Sequence, residues 1–452
     1  MYQPQTRPAP TMPLAGATGA APGAPEIALP PEPQSIEQTG LSLSFIADLA
    51  LKTLYLRGQM TMGEVATALG LPMTNVVDKV MEYLKGERLV EIRGGTGLSA
   101  ASYQFVIVDR GSEKAQEALA RSQYVGKAPV PLAAYLDAVK RQTISNISVT
   151  QEELAKAFAH MVIPRETLGQ LGPAVNSGKS IFLFGPPGNG KTTIAEVLVS
   201  LLRGEVVLPY AIEVDRQVIK VYDQVYHRAA LDPIVADRLR FDHRWIVSKR
   251  PIVMTGGELT LETLDLIYDE TSKFYEAPFQ MKANGGIFMV DDFGRQRVSP
   301  RDLLNRWIVP LEKRVDYLTL HTGKKLEIPF DMLIIFSTNL DPADLVDEAF
   351  LRRIRYKIGI EAPTVEQYEE IFKRMCARKQ IDYRAEALSQ ILAHYRRKNL
   401  GLRSCHPRDI LEQLTDTARF LGRPAQLTPD LIDMACDSYF VSLDPSGSPQ
   451  GA

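Results

Sequence analysis

Three short apolar runs stand out in the second half of the chain: Ser180–Phe184, Gly286–Val290 and Met332–Phe336. None alternates with polar residues. Such runs predict strands buried on both faces, as in a parallel sheet. Helical spacing follows them. Thr193–Leu202 has it and stops before Gly204, and it recurs over Thr364–Arg378, Arg384–Lys398 and Arg408–Leu421. The second half therefore predicts an α/β domain and then a helical region. Nearer the start, Leu43–Leu56 predicts a helix, and Thr61-x-x-Glu64 opens a second through a capping box that Gly70-Leu71-Pro72 closes. A third is predicted over Thr74–Lys85. Apolar stretches at Leu89–Arg93 and Tyr103–Val108 then flank a glycine turn at Gly94–Gly97.

Composition narrows the setting. Apolar residues make up 45% and charged residues 23% of 452 residues, enough for two or three folded domains. A net charge of −2 gives no global attraction to nucleic acid or anionic membrane. No apolar run approaches the ~20 residues of a membrane span, and no signal peptide is visible. Cys376, Cys405 and Cys436 are widely spaced and match no metal pattern, which fits a reducing compartment. A cytoplasmic protein with no membrane insertion is expected. Residues 1–40 are rich in Pro, Ala, Gly and Thr and are expected to be a disordered tail.

Three helices and a hairpin over 41–121 resemble a winged helix-turn-helix. That resemblance implies DNA recognition by the third helix. The charge points elsewhere. The segment holds nine Lys/Arg and nine Asp/Glu, and the third helix sets Asp78 and Glu82 against Lys79 and Lys85. Duplex binding normally needs a basic face, so protein contact is the first reading and DNA the second. Residues 122–150 read as a linker with a docking helix.

The chemistry centres on Gly185-Pro186-Pro187-Gly188-Asn189-Gly190-Lys191-Thr192, which matches G-x-x-x-x-G-K-[ST] without a mismatch. It follows a predicted strand and opens a predicted helix at Thr193, which joins the loop as a candidate nucleotide-binding residue. Glycines let backbone N–H groups turn inward, and the helix dipole favours an anion there. Lys191 would reach the β- and γ-phosphates of ATP, and the Thr192 hydroxyl would ligate Mg²⁺. The second apolar run ends in Asp291-Asp292. Asp291 suits the metal and Asp292 the attacking water. Asn339 ends the third run; it could orient water, touch the γ-phosphate, or form a turn. Arg352, Arg353 and Arg355 crowd one loop, and Arg408 opens a helix after Pro407.

Together these motifs resemble the AAA+ ATPases over about 150–440. The resemblance implies an ATP-hydrolysing core over 151–360 and a helical lid over 361–445. Asp291-Asp292 stands as Walker B, Asn339 as sensor 1, Arg408 as sensor 2, and Arg352 or Arg353 as an arginine finger, with Arg355 open. A finger acting in trans implies a ring, most simply a hexamer. Hairpins read over 264–278 and 316–329 resemble the helix-2 insert and pre-sensor-1 hairpin of the MoxR-like branch, whose motion would grip or pry a client. Asp292 stands where Glu is commoner, which leaves the hydrolysis rate open. Three functions fit: a chaperone-like ATPase remodelling a protein client, a DNA-acting motor or regulator, and a nucleotide-gated scaffold with little turnover. Residues 205–250 carry no motif.

Overall fold

The computed structural model describes residues 12–13, 28–95, 103–345 and 348–440. Most of the expected tail, part of the Gly94–Gly97 turn, and 441–445 lie outside them. The tail's last residues carry a helix, Ile36–Thr39, capped by Ser35 and Gly40.

The α/β expectation holds. The central sheet has five parallel strands: β1 (Ser180–Phe184), β2 (Ile252–Thr255), β3 (Ile287–Val290), β4 (Leu333–Thr338) and β5 (Tyr356–Gly359). Their order is β2-β3-β4-β1-β5. Successive side chains take opposite faces. Ile181, Leu183, Ile287, Met289, Leu333 and Ile335 join one core with Ile194 and Leu198 of α1 (Lys191–Leu201). Phe182, Phe288, Val290, Ile334 and Phe336 join another with Trp307. Both faces are covered, which is why the runs lack polar alternation. From β1 the chain runs out to the β2 edge and returns past β1 to β5. A crevice therefore opens at the carboxyl end of β1. Four helices follow: α2 (Val365–Arg378), α3 (Ala385–Arg397), α4 (His406–Phe420) and α5 (Pro429–Tyr439), with their own core.

A second five-stranded sheet is built largely from 205–276. It joins the hairpin Ala211–Val214/Gln217–Lys220 to Tyr275–Glu276, Ile267–Tyr268 and Val130–Pro131. Only two residues on each side of the hairpin read over 264–278 are strand. Its tip docks on 120–124: Gln123 N donates to Ser272 O at 2.8 Å, and Lys273 Nζ to Ala120 O at 2.8 Å. Phe274 meets the Tyr124 ring edge-on at 5.7 Å. The other hairpin pairs Val315–Thr319 with Lys325–Pro329.

Toward the N-terminus, helices Leu43–Arg57, Met62–Leu69 and Asp78–Gly86 pack on one core with the sheet of Gln59–Thr61, Val90–Gly95 and Tyr103–Ile107. The third helix begins at Asp78 rather than Thr74, because Thr74 is extended (ψ 139°) and Asn75 left-handed (φ 68°). Arg244 fastens this region. Its guanidinium is buried against Asp242 at 2.7 Å and donates to Thr39 O at 2.7 Å and Pro129 O at 3.2 Å.

Candidate functional site

The phosphate loop turns on glycines that nothing else can replace. Gly185, Gly188 and Gly190 have φ of 135°, 80° and 84°. A Cβ on Gly185 would lie 2.3 Å from Ile360 O, and one on Gly188 2.6 Å from Cys405 Sγ. The loop's backbone is thus open on one side and pressed against β5 and the start of α4 on the other. Gly190 caps α1, so Lys191, Thr192 and Thr193 form its first turn, with free N–H groups facing the crevice.

Three strands, β1, β3 and β4, deliver the polar groups to one point. Lys191 Nζ donates to Asn339 Oδ1 at 2.6 Å and to the carbonyls of Gly185 and Pro186 at 2.9 and 3.0 Å. Asn339 Nδ2 donates to Asp292 Oδ1 at 3.1 Å. Thr192 Oγ1 donates to Asp291 Oδ2 at 3.0 Å. Burial pushes the Lys191 ammonium below the usual lysine range, while Asp291 and Asp292 pull the other way.

A cavity of about 980 Å³ surrounds this group. Its far wall is Met161, Val162 and Ile163 from the segment before the core, and α2 and α4 close it. The lid touches the loop directly: Cys405 N donates to Gly188 O at 2.9 Å and Ser404 N to Asn189 Oδ1 at 3.1 Å. Burial, with Asp409 beside it, raises the Cys405 thiol above the usual cysteine range. Arg374 of α2 donates to Ala159 O and Met161 O at 2.8 and 3.2 Å, tying the lid to that wall.

The residues fit a nucleoside triphosphate with its metal. The glycines of the phosphate loop let it press against Ile360 and Cys405 while its other side stays open to the cavity, and the buried Nδ2 of Asn189 has no partner. Magnesium takes few protein ligands beside phosphate and water, and one hydroxyl with one carboxylate matches that habit. Among the described residues no group of three or more His, Cys, Asp or Glu could hold a metal alone.

The arginines divide. Arg408 lines the cavity but spends its guanidinium on Asp409 at 2.8 Å. Arg352 and Arg353 lie outside the cavity lining; Arg352 is exposed and Arg353 pairs with Glu312 at 2.6 Å. Sequence reading missed Arg374, Ser404 and Cys405, which reach the site only through lid packing. It also missed Gln296, whose amide donates to Asp291 O and Asp292 O.

Fold and site together define an α/β protein with a phosphate loop at the carboxyl edge of a parallel sheet and a helical lid over it. A family described only as "Domain of unknown function (DUF8689)" matches residues 364–438, which span the lid helices. No curated protein matches. Solved structures similar to the chain include the Thermotoga maritima RuvB Holliday junction branch migration motor, 14% identical, covering 65% of this chain and 72% of that one at a TM-score of 0.33. NtrX from Brucella abortus in complex with ADP is 17% identical, covering 75% and 68% at a TM-score of 0.37. Its complex with ATP is 15% identical, covering 81% and 65% at 0.35. Among the described residues no helix is long and apolar enough to cross a membrane.

Proposed function

We propose that the chain binds and hydrolyses ATP in this crevice and uses the cycle to remodel a protein partner as a ring of identical subunits. The observation that carries the reading is the convergence of Lys191, Thr192, Asp291, Asn339 and Asp292 at the open side of the glycine loop. Lys191 would leave its carbonyl partners for the β- and γ-phosphates. Thr192 and Asp291 would hold Mg²⁺, which neutralises charge on the phosphate oxygens when bound. Water attacks the γ-phosphorus as its bond to the ADP oxygen breaks. ADP takes the electron pair, and the water's proton passes to the Asp292 carboxylate. Asn339 lies between Lys191 and Asp292 and is placed to report phosphate to the acid.

A neighbouring subunit's Arg352 or Arg353 would complete the site. Arg352 is exposed and suits that role without rearrangement; Arg353 would first leave Glu312. Client work falls to the N-terminal module and the 315–329 hairpin, since the other hairpin's tip is engaged with 120–124. We read the module as a winged helix making protein contacts. Its balanced charge keeps DNA as the alternative, tested by salt-dependent duplex binding. The nucleotide reading is tested by titrating Mg-ATP into wild type and Lys191→Ala. Saturable binding is expected for wild type, and at least tenfold weaker binding for the variant. Equal affinities would remove the crevice as the site.

A further inference from the structure

Asp292 is one methylene shorter than the glutamate its position leads one to expect, and its backbone is left-handed, with φ 48°. L-residues avoid this region, Asp and Asn less than others. The turn around it is fastened twice. Phe293 is buried, its N donates to Ser337 O at 2.7 Å, and its O accepts from Thr338 Oγ1 at 2.7 Å. Gln296 closes the other side with its whole amide: Nε2 donates to Asp291 O at 2.8 Å and Asp292 O at 3.0 Å, and Oε1 accepts from Gly294 N at 2.8 Å. In this geometry the short carboxylate meets Asn339 Nδ2 at 3.1 Å.

We infer that Gln296 is a positioning residue that holds Asp292 left-handed, so that backbone geometry replaces the missing methylene and aims a short acid at the attacking water. The inference rests on the hydrolytic reading above. Gln296 touches neither the phosphates nor the water; it acts through two carbonyl oxygens. Its loss lets the turn relax toward right-handed or extended backbone, and the carboxylate swings off Asn339. Nucleotide affinity, set by Lys191, Thr192 and the glycine loop, is untouched.

The test is a double-mutant cycle in phosphate release by the full chain, with Gln296→Ala, Asp292→Glu and the pair. Gln296→Ala lowers kcat about tenfold, part of the ~10²–10⁴-fold that a general base supplies, with KM for ATP within about twofold. Asp292→Glu also lowers kcat in the native turn, because the longer acid overshoots. In the Gln296→Ala background the same change costs nothing further or restores rate, because the relaxed turn accepts the longer side chain. Gln296→Met fills the same space without the amide, so it decides the matter should the alanine variant misfold; it loses kcat like Gln296→Ala. A kcat within twofold of wild type for Gln296→Met, parallel changes in kcat and KM, or effects that simply multiply would each overturn the inference. Absence of turnover in wild type would instead sink the hydrolytic reading, and this inference with it.

Discussion

Gly188 shows how tightly the site is set at the scale of single residues. Its φ of 80° excludes most side chains, and a methyl group there would meet Cys405 Sγ at 2.6 Å. Gly188→Ala therefore pays twice, in backbone strain and in displacing the lid from the loop. We expect it to weaken ATP binding at least tenfold in a fluorescence titration and to lower the thermal unfolding temperature by a few degrees. Wild-type affinity in that variant would mean the lid contact is dispensable. Lys191 illustrates a different economy: in the structure it is satisfied by two carbonyls and Asn339, so phosphate must replace those bonds. Polarity around it is supplied in advance, as electrostatic catalysis requires.

The elements that hold these residues were legible to unequal degrees. Strand β1 falls on Ser180–Phe184 as read, β3 lies within its apolar run, and β4 starts inside its run and continues two residues past it to Thr338. Strands buried on both faces leave a continuous apolar signature, and the loop motif fixes what comes next. The second sheet was not legible in 205–250. Its strands are only two or four residues long, and one of its edges is supplied by Val130–Pro131, more than 70 residues before its partner Ala211–Val214. Pairings of that kind leave no local period. The start of the third helix was misread because Asn75 breaks an otherwise helical apolar spacing through a single left-handed residue. In the site, the loop, the acids and Asn339 could be read from order alone, whereas Arg374 and Gln296 needed the tertiary contacts.

Helix α4 carries a pH dependence of its own. His406 at its start is buried against Tyr395, and burial with Arg403 nearby pushes it down to about 4, Asp409 opposing. An unfolded histidine titrates near its ordinary value of 6.5. Between these values the unfolded chain takes up a proton that the folded chain refuses, so stability falls as pH drops from about 6.5 to about 4. His406→Phe removes this proton and leaves Tyr395 its bond to Tyr368. Comparing thermal unfolding at pH 7 and pH 5 should show a smaller loss for the variant than for wild type; equal losses would exclude His406 as the cause.

At the scale of the whole molecule, the nucleotide core and the N-terminal module are welded through the second sheet. Arg244 reaches Thr39, Pro129 and Asp242 from a site that is 4% exposed. Removing one member of a buried pair typically costs about 3–5 kcal/mol, because the other charge is left without a partner. Arg244→Ala should therefore lower the unfolding temperature and open 122–131 to limited proteolysis. Arg244→Lys should rescue little, since an ammonium lacks the fork that reaches three partners. Protease resistance equal to wild type would show that the module is held by other contacts.

This welding also says where motion can go. Lid and core meet at Gly188 and Asn189 on the glycine loop, and core and N-terminal module meet at Arg244 and along the Val130–Pro131 strand. Turnover at the glycine loop is the step on which the proposed cycle turns. The most direct measurement is steady-state phosphate release from Mg-ATP by wild type, Lys191→Ala and Asp292→Asn, each purified as the full chain. Wild type should release phosphate, with a loss on the order of a hundredfold or more in both variants, the scale of removing a general base or a phosphate clamp. Release by Lys191→Ala at the wild-type rate, or none by wild type, would contradict that cycle.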